Sequence, residues 1–438
     1  MGSFVPTTPS ERQQMLKTIG VGSVEELFRD VPQEMRIDGY LDLPSGKSEM
    51  ETLESVSALA EKNHVFHTCL RGAGSYRHYI PAAVKAIVNR EEFVTAYTPY
   101  QAEISQGILQ AIFEYQTMLC ELTGMDVSNA CVYDGGTAAA ESITMCRDRK
   151  RTKAYVSATT DPQVIEVMKT YCFGSDVELT VVPQKDGRTD PEALRSLLGQ
   201  DAACFYVQQP NFYGLLEEAE LLGEITHAAG AKYVMGVNPI SLAILKTPAE
   251  CGADVAVGEG QPLGLDTAFG GPYLGFMTAS SAMMRKLPGR IVGQTVDTEG
   301  EIGYVLTLSA REQHIRREKA SSNICSNEQL CAFTAAVYLS AMGEKGLRQA
   351  ATLCTSKAHY FAQQLEEKLG WKRVHPGEFF HEFVTECPDT EKALAALAKR
   401  DILGGLPVEG GILWCVTEVV TKERLDEAVA ILQEVSCG

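Results

Sequence analysis

Between residues 130 and 290, short apolar runs alternate with amphipathic stretches, and this alternation admits few architectures. The runs are Ala130–Tyr133, Ala154–Ala158, Leu179–Val182, Ala203–Val207, Tyr233–Val237, Val255–Val257 and Leu274–Met277. Helical patterns separate many of them, including Asp161–Tyr171, Pro191–Leu198 and Leu216–Ala229. Continuous apolar strands with no polar face must be covered on both sides. The pattern therefore predicts an α/β domain with a mostly parallel sheet between two helical layers. Such sheets bind ligands outside their strand carboxyl ends.

The flanking segments read differently. Thr8-Pro9-Ser10-Glu11 is a capping box with proline at the first helical position, and Ser23-Val24-Glu25-Glu26 has the same form. We expect residues 1–70 to form a helical N-terminal arm, 71–325 the large α/β domain and 326–438 a smaller C-terminal α/β domain. Within the large domain, residues 103–123 predict a long amphipathic helix through Ile108, Ile112, Tyr115, Leu119 and Leu122, ending at Gly124. The C-terminal domain opens with helices over Asn327–Ala341 and Glu344–Leu369. Its candidate strands are Lys372–Val374, Phe380–Thr385 and Ile412–Thr417.

Composition narrows the partners. The 438 residues carry a net charge of −18, which argues against nucleic acid and anionic membrane. The 13 cysteines are odd in number and include no C-x-x-C pair, which predicts free thiols in a reducing compartment. The sequence contains neither an apolar signal core nor a membrane-length apolar run, so a soluble cytoplasmic protein is expected.

Three segments have chemical potential. In Tyr133-Asp134-Gly135-Gly136-Thr137 a strand turns into a helix, and Gly135, Gly136 and Thr137 would offer backbone N–H groups to a phosphate. The same turn also reads as an ordinary tight turn capped by Asp134 or Thr137. Tyr97-Thr98-Pro99-Tyr100-Gln101 holds two phenols around a proline, suited either to the rim of a cleft or to packing at a domain junction. The charge run Arg311–Lys319 reads as a solvated helix with a Glu312–Arg316 pair, or as an anion or partner surface. His64, His67 and His78 lack metal-ligand spacing, and no metal site is assigned. There is no nucleophile elbow, P-loop or dinucleotide glycine fingerprint.

Several of these stretches together resemble one family. They are Arg71-Gly72-Ala73-Gly74-Ser75-Tyr76, Phe93–Met125, Tyr133–Glu141, Gly258–Gly264, Phe269–Gly275, Arg311–Cys325 and Cys415-Val416-Thr417-Glu418. Together they resemble glycine dehydrogenase (decarboxylating), the P-protein of the glycine cleavage system, over nearly the whole chain. The similarity is to the amino-terminal half of the fused enzyme, or subunit 1 of its split form. It implies a fold-type I pyridoxal-phosphate-dependent transferase-like large domain.

The family resemblance also implies a reaction and a set of partners. Pyridoxal phosphate on subunit 2 serves as electron sink while glycine loses CO₂. The aminomethyl group then passes to the lipoyl arm of the H-protein, whose disulfide is reduced. The implied assembly is an αβ pair that pairs again to a heterotetramer, with Tyr97, Thr98, Tyr100 and Gln101 at the subunit interface or substrate cleft.

In the family this chain resembles, the carboxyl-terminal half, or subunit 2, carries the Schiff-base lysine shortly before a glycine-rich Gly-Pro segment, yet here no lysine occurs between Lys246 and Lys286. Placing that segment on Gly270-Gly271-Pro272 puts the lysine position at Gln261. The aspartate that holds the pyridine nitrogen falls near Met235. The chain is thus expected to have no autonomous catalytic residue and no covalent cofactor, and its phosphate cradle to be degenerate. Two other readings stand beside this one: a self-sufficient homodimer using Lys232 or Lys246, and a structural or regulatory subunit with a closed, non-catalytic cleft.

Overall fold

The computed structural model describes residues 6–37, 39, 41–320, 322–325 and 328–436. The chain divides between Val65 and Phe66 into two units.

In the first unit, helix α1 (Pro9–Ile19) begins with the expected capping box. Glu11 donates its N–H to Thr8 Oγ1 at 3.3 Å, and Thr8 N–H donates to the Glu11 carboxylate at 2.7 Å. Helix α2 (Glu49–Ala60) starts with an equivalent Ser48–Glu51 box. Neither helix contains a buried residue. Ser23–Glu26 departs from its expected box. It forms a short 3-10 turn, Glu25–Phe28, without a side-chain cap, and Glu26 accepts the Gly22 N–H at 3.1 Å. Glycine at position 22 lets the backbone approach the carboxylate that the box would have used.

The second unit is built on a seven-stranded sheet. Its strands in chain order are β1 (Val127–Ser128), β2 (Lys153–Ser157), β3 (Leu179–Val182), β4 (Ala202–Gln209), β5 (Lys232–Val237), β6 (Val255–Glu259) and β7 (Gly275–Ala279). They lie in the order β1-β7-β6-β5-β4-β2-β3. Strands β2 to β6 pair in parallel, whereas β7 is antiparallel to both β6 and β1. Side chains alternate across the sheet. Phe205, Val207, Tyr233, Met235 and Val237 enter one core, and Cys204, Tyr206, Val234, Val255 and Val257 the other.

Two expected strands are only partly realised. Ala130–Tyr133 is held by one bridge, Val132 to Gly275, because Ala130 donates to the Arg290 carbonyl instead of following β7. Lys372–Val374 likewise keeps only the Arg373–Thr385 bridge.

Helix α3 (Gln106–Thr123) buries Leu109, Ile112, Tyr115 and Leu119 and stops at Gly124, where φ is +70°. The long helix α4 (Gln329–Leu369) breaks at Gly343, where φ is +58°, at the gap between the two helices expected there. Asn327, the expected start of the first, lies outside the described residues. Toward the C-terminus a three-stranded antiparallel sheet (Glu382–Thr385, Gly411–Cys415, Leu406–Val408) packs Phe383 and Trp414 into a third core with Phe361 and Leu432. The charge run at 311–319 is not one helix. Positive φ at Leu308 and Arg317 leaves one α-helical turn, Gln313–Arg316, between the 3-10 turns Ser309–Arg311 and Arg317–Lys319, and Glu312 pairs with His314 at 3.6 Å rather than with Arg316.

One glycine joins the two sheets tightly. Gly214 has φ +83°, and a Cβ there would lie 1.8 Å from the Glu382 carbonyl oxygen. Gly214→Ala therefore meets both left-handed strain and a backbone clash. It should lower stability by about 3 kcal/mol or more, read from the urea midpoint. A loss under about 1 kcal/mol would mean the junction yields easily.

Candidate functional site

A cavity of about 540 Å³ opens where the carboxyl ends of β4, β5 and β6 meet two helix N-termini. The first helix is Gly135–Cys146 and the second Pro162–Gly174. This is the ligand position expected of an open α/β sheet. The loop Ala73–Tyr76 lines the cavity from the other side. A Cβ at Gly74, where φ is +99°, would stand 3.0 Å from Asp161 Oδ2, so the loop closes directly on that carboxylate.

The helix N-terminus at Gly135 is already occupied by the chain's own carboxylates. Asp134 caps it, accepting the Thr137 N–H at 2.7 Å. Glu259 accepts the Gly135 N–H at 2.9 Å, together with the N–H groups of Gln261 at 2.8 Å and Leu274 at 3.0 Å. Asp161 caps the second helix through the Gln163 N–H at 2.8 Å. Gly135 and Gly136 do line the cavity. No lysine, arginine or histidine does so among the described residues. A phosphate here would face Asp134, Asp161 and Glu259 with no cation to offset them. The residues present do not fit pyridoxal phosphate.

Burial raises these acids. Desolvation lifts the Glu259 carboxyl to about 7 against the three N–H bonds that favour its charged form, and lifts Asp161 above its ordinary range. Glu382, fully buried behind the loop, is also raised to about 7 by desolvation; it accepts the Ala73 N–H at 2.7 Å and the Tyr76 hydroxyl at 2.8 Å. Between about pH 4.5 and 7 Glu382 keeps its proton in the folded chain, while the unfolded chain has lost it. Its contribution to stability therefore falls as pH rises through that window. Glu382→Gln should flatten this part of the stability–pH curve, measured by denaturant unfolding at several pH values. An unchanged slope would place the proton elsewhere.

Gln261, where the family resemblance places the lysine, does not line the cavity. It is 1% exposed. Its side chain donates to the carbonyls of Tyr76 (2.9 Å) and Leu265 (2.8 Å) and accepts the Tyr76 N–H at 2.9 Å. It is a clamp on the 71–76 loop. Met235 is fully buried on the opposite face of β5, and Gly236 is the neighbour that faces the cavity. The Tyr206 hydroxyl fills the place of a Gly236 side chain, where a Cβ would meet it at 1.9 Å.

The Tyr97–Gln101 segment is away from this cavity. Tyr97 is 87% exposed and Tyr100 59%, with Thr98 half-buried and Gln101 exposed. Tyr100 borders a smaller pocket with Arg290, Arg311 and His314. Its hydroxyl accepts from Arg290 at 3.2 Å, and the guanidinium stands 5.2 Å from its ring centroid. His78 is not isolated: Nδ1 bonds the Glu418 carboxylate at 2.7 Å, with Cys354 donating to the same oxygen at 3.3 Å. The twelve described cysteines are free. Sequence reasoning missed Asp161, Tyr206, Glu259 and Glu382; only Glu259 carried a local signal, between two glycines in Gly258-Glu259-Gly260.

The sheet order, its antiparallel β7 and the cavity at the strand ends define a pyridoxal-phosphate-dependent transferase-like fold. The aspartate aminotransferase of Thermus thermophilus shares that fold, with a TM-score of 0.58 at 14% identity over 84% of this chain and 99% of that one. A much closer likeness is to a crystal structure of glycine decarboxylase (P-protein) of the glycine cleavage system in inhibitor-bound form. The TM-score is 0.92 and the identity 42%, over 99% of this chain and 100% of that one. The family model of the glycine cleavage system P-protein matches residues 2–432, and the chain belongs to that family. Its relatives include probable glycine dehydrogenase (decarboxylating) subunit 1 of Desulfitobacterium hafniense, 47% identical over 99% of this chain and 100% of the relative. The protein of the same name from Carboxydothermus hydrogenoformans is 48% identical over 98% and 99%. Among the described residues no helix is long and apolar enough to cross a membrane.

Proposed function

We propose that this chain is the subunit without cofactor in a two-chain glycine decarboxylase. Its partner, subunit 2, holds pyridoxal phosphate on its own lysine. The assembled pair releases CO₂ from glycine and transfers the remaining aminomethyl group to the lipoyl disulfide of the H-protein, which is reduced. The observation that carries this reading is the cavity itself: Asp134 and Glu259 occupy the helix N-terminus, and no cation lines the wall among the described residues. Lys232 and Lys246, the alternatives for a self-sufficient enzyme, are engaged in ion pairs with Asp254 (2.7 Å) and Glu220 (2.8 Å).

The role left to this chain is positioning. The exposed Tyr97–Gln101 segment supports a contribution in trans, with phenols and an amide offered to the partner's cleft. An inert subunit with a closed cleft is the competing reading, and the open cavity does not favour it.

The test is reconstitution. The purified chain should catalyse no glycine-dependent exchange of CO₂ and should fix no cofactor on borohydride reduction. Adding subunit 2 should restore exchange to well above what subunit 2 achieves alone. Exchange by the isolated chain, or full activity of subunit 2 without it, would refute the proposal.

A further inference from the structure

The cavity that cannot accept a phosphate has the chemistry to accept a cation. Asp134, Asp161 and Glu259 reach its wall, and no basic side chain among the described residues answers them there. A second feature is independent of the acids. The Tyr206 hydroxyl is aimed into the cavity from a side chain only 4% exposed, and it has no hydrogen-bond partner among the described residues. Opening into the cavity from a buried ring, this hydroxyl is free to accept a hydrogen bond from a ligand there. Tyr76, Tyr133 and Tyr273 also line the cavity, beside the apolar Val164 and Val167 and the amides of Gln208 and Asn238.

From this juxtaposition we propose that the cavity binds a small organic ammonium ion carrying no anionic group. The proposal rests on the reading that this cavity has lost its phosphorylated cofactor. The ammonium would sit between Asp161 and the Tyr206 hydroxyl, with its alkyl part against the apolar lining of Val164, Val167 and the tyrosine rings. A volume of about 540 Å³ is ordinary for a small-molecule site and far exceeds a bare metal ion. A carboxylate or phosphate would face three acids with no cation among the lining residues to offset them. A zwitterionic amino acid would leave its carboxylate without a cation, so glycine itself is the wrong ligand for this chain.

Isothermal titration of the full chain with n-butylammonium chloride tests the proposal, with sodium butyrate and inorganic phosphate as controls at matched ionic strength. Saturable one-site binding is expected for butylammonium and none for either anion. Asp161→Asn retains a helix-capping side chain but removes the charge, and should weaken binding roughly tenfold or more. Tyr206→Phe removes only the hydroxyl and should weaken it severalfold. Circular dichroism and melting of both variants should match the parent chain. Absent or non-saturable butylammonium binding, equal binding of butyrate, or unchanged affinity in both variants would overturn the inference. These outcomes are separate from the reconstitution assay. Failed reconstitution sinks the subunit reading, whereas failed amine binding leaves that reading in place.

Discussion

Gln261→Lys should leave a less stable protein that still fixes no cofactor. The substitution restores an amine to the position where the family resemblance places the lysine, and so it looks like a repair. Position 261 is not open to the cavity, however. Its side chain is buried and tied to both backbone groups of Tyr76 and to the Leu265 carbonyl. A lysine can donate to the two carbonyls but cannot accept, so the Tyr76 N–H loses its partner. The ammonium would also be desolvated. These losses amount to about 2–4 kcal/mol. Even an amine that reached the cavity would find Asp134, Asp161 and Glu259 beside the Gly135–Gly136 turn that the sequence offers to a phosphate. Urea unfolding and borohydride trapping read the two halves of this expectation. A variant of parental stability that retains cofactor on the introduced amine would show that Gln261 is a simple replacement rather than a clamp.

The second large effect is expected in the complex. Tyr97→Phe should reduce glycine exchange in the mixed assembly by ~10²-fold or more if its hydroxyl takes part in proton transfer in the partner's cleft. Assembly and cofactor loading should be unchanged. Tyr97 is the stronger candidate because its ring is almost wholly exposed, whereas the Tyr100 hydroxyl already accepts from Arg290. Tyr100→Phe removes that hydrogen bond but keeps the ring beneath the guanidinium, so its effect should be smaller. A packing role for the segment predicts the reverse pattern: weaker association with normal turnover per assembled complex. Size-exclusion chromatography and exchange assays on the same partner preparation distinguish the two. Normal exchange in both variants would remove the segment from the active site.

Much of the fold was legible because its signals are local. Parallel strands buried on both faces cannot avoid continuous apolar runs, and six of the seven expected runs fall on strands of the large sheet. The seventh, Ala130–Tyr133, was misread because apolar content does not report where a backbone N–H finds its acceptor. The Thr8 capping box succeeded and the Ser23 box failed although their residues match in kind. What differed was Gly22, which drew Glu26 into a different hydrogen bond. The turn at Gly135–Thr137 was legible as a helix N-terminus, but its chemistry was not. Glu259 lies more than a hundred residues away, and only the pairing of β6 beside β7 brings it onto the Gly135 N–H.

The sequence by itself determined the layered α/β architecture, the membership in a P-protein family and the absence of a lysine from the expected window. These depend on residue type and spacing along the chain. Tertiary structure alone decided that Gln261 is a buried clamp, that Met235 faces away from the cavity, and that three distant acids share one wall without a cation among the described residues. Those facts depend on strand register and on which groups folding removes from water. A periodicity of two assigns residues to faces, but only the packed sheet decides which face holds the site.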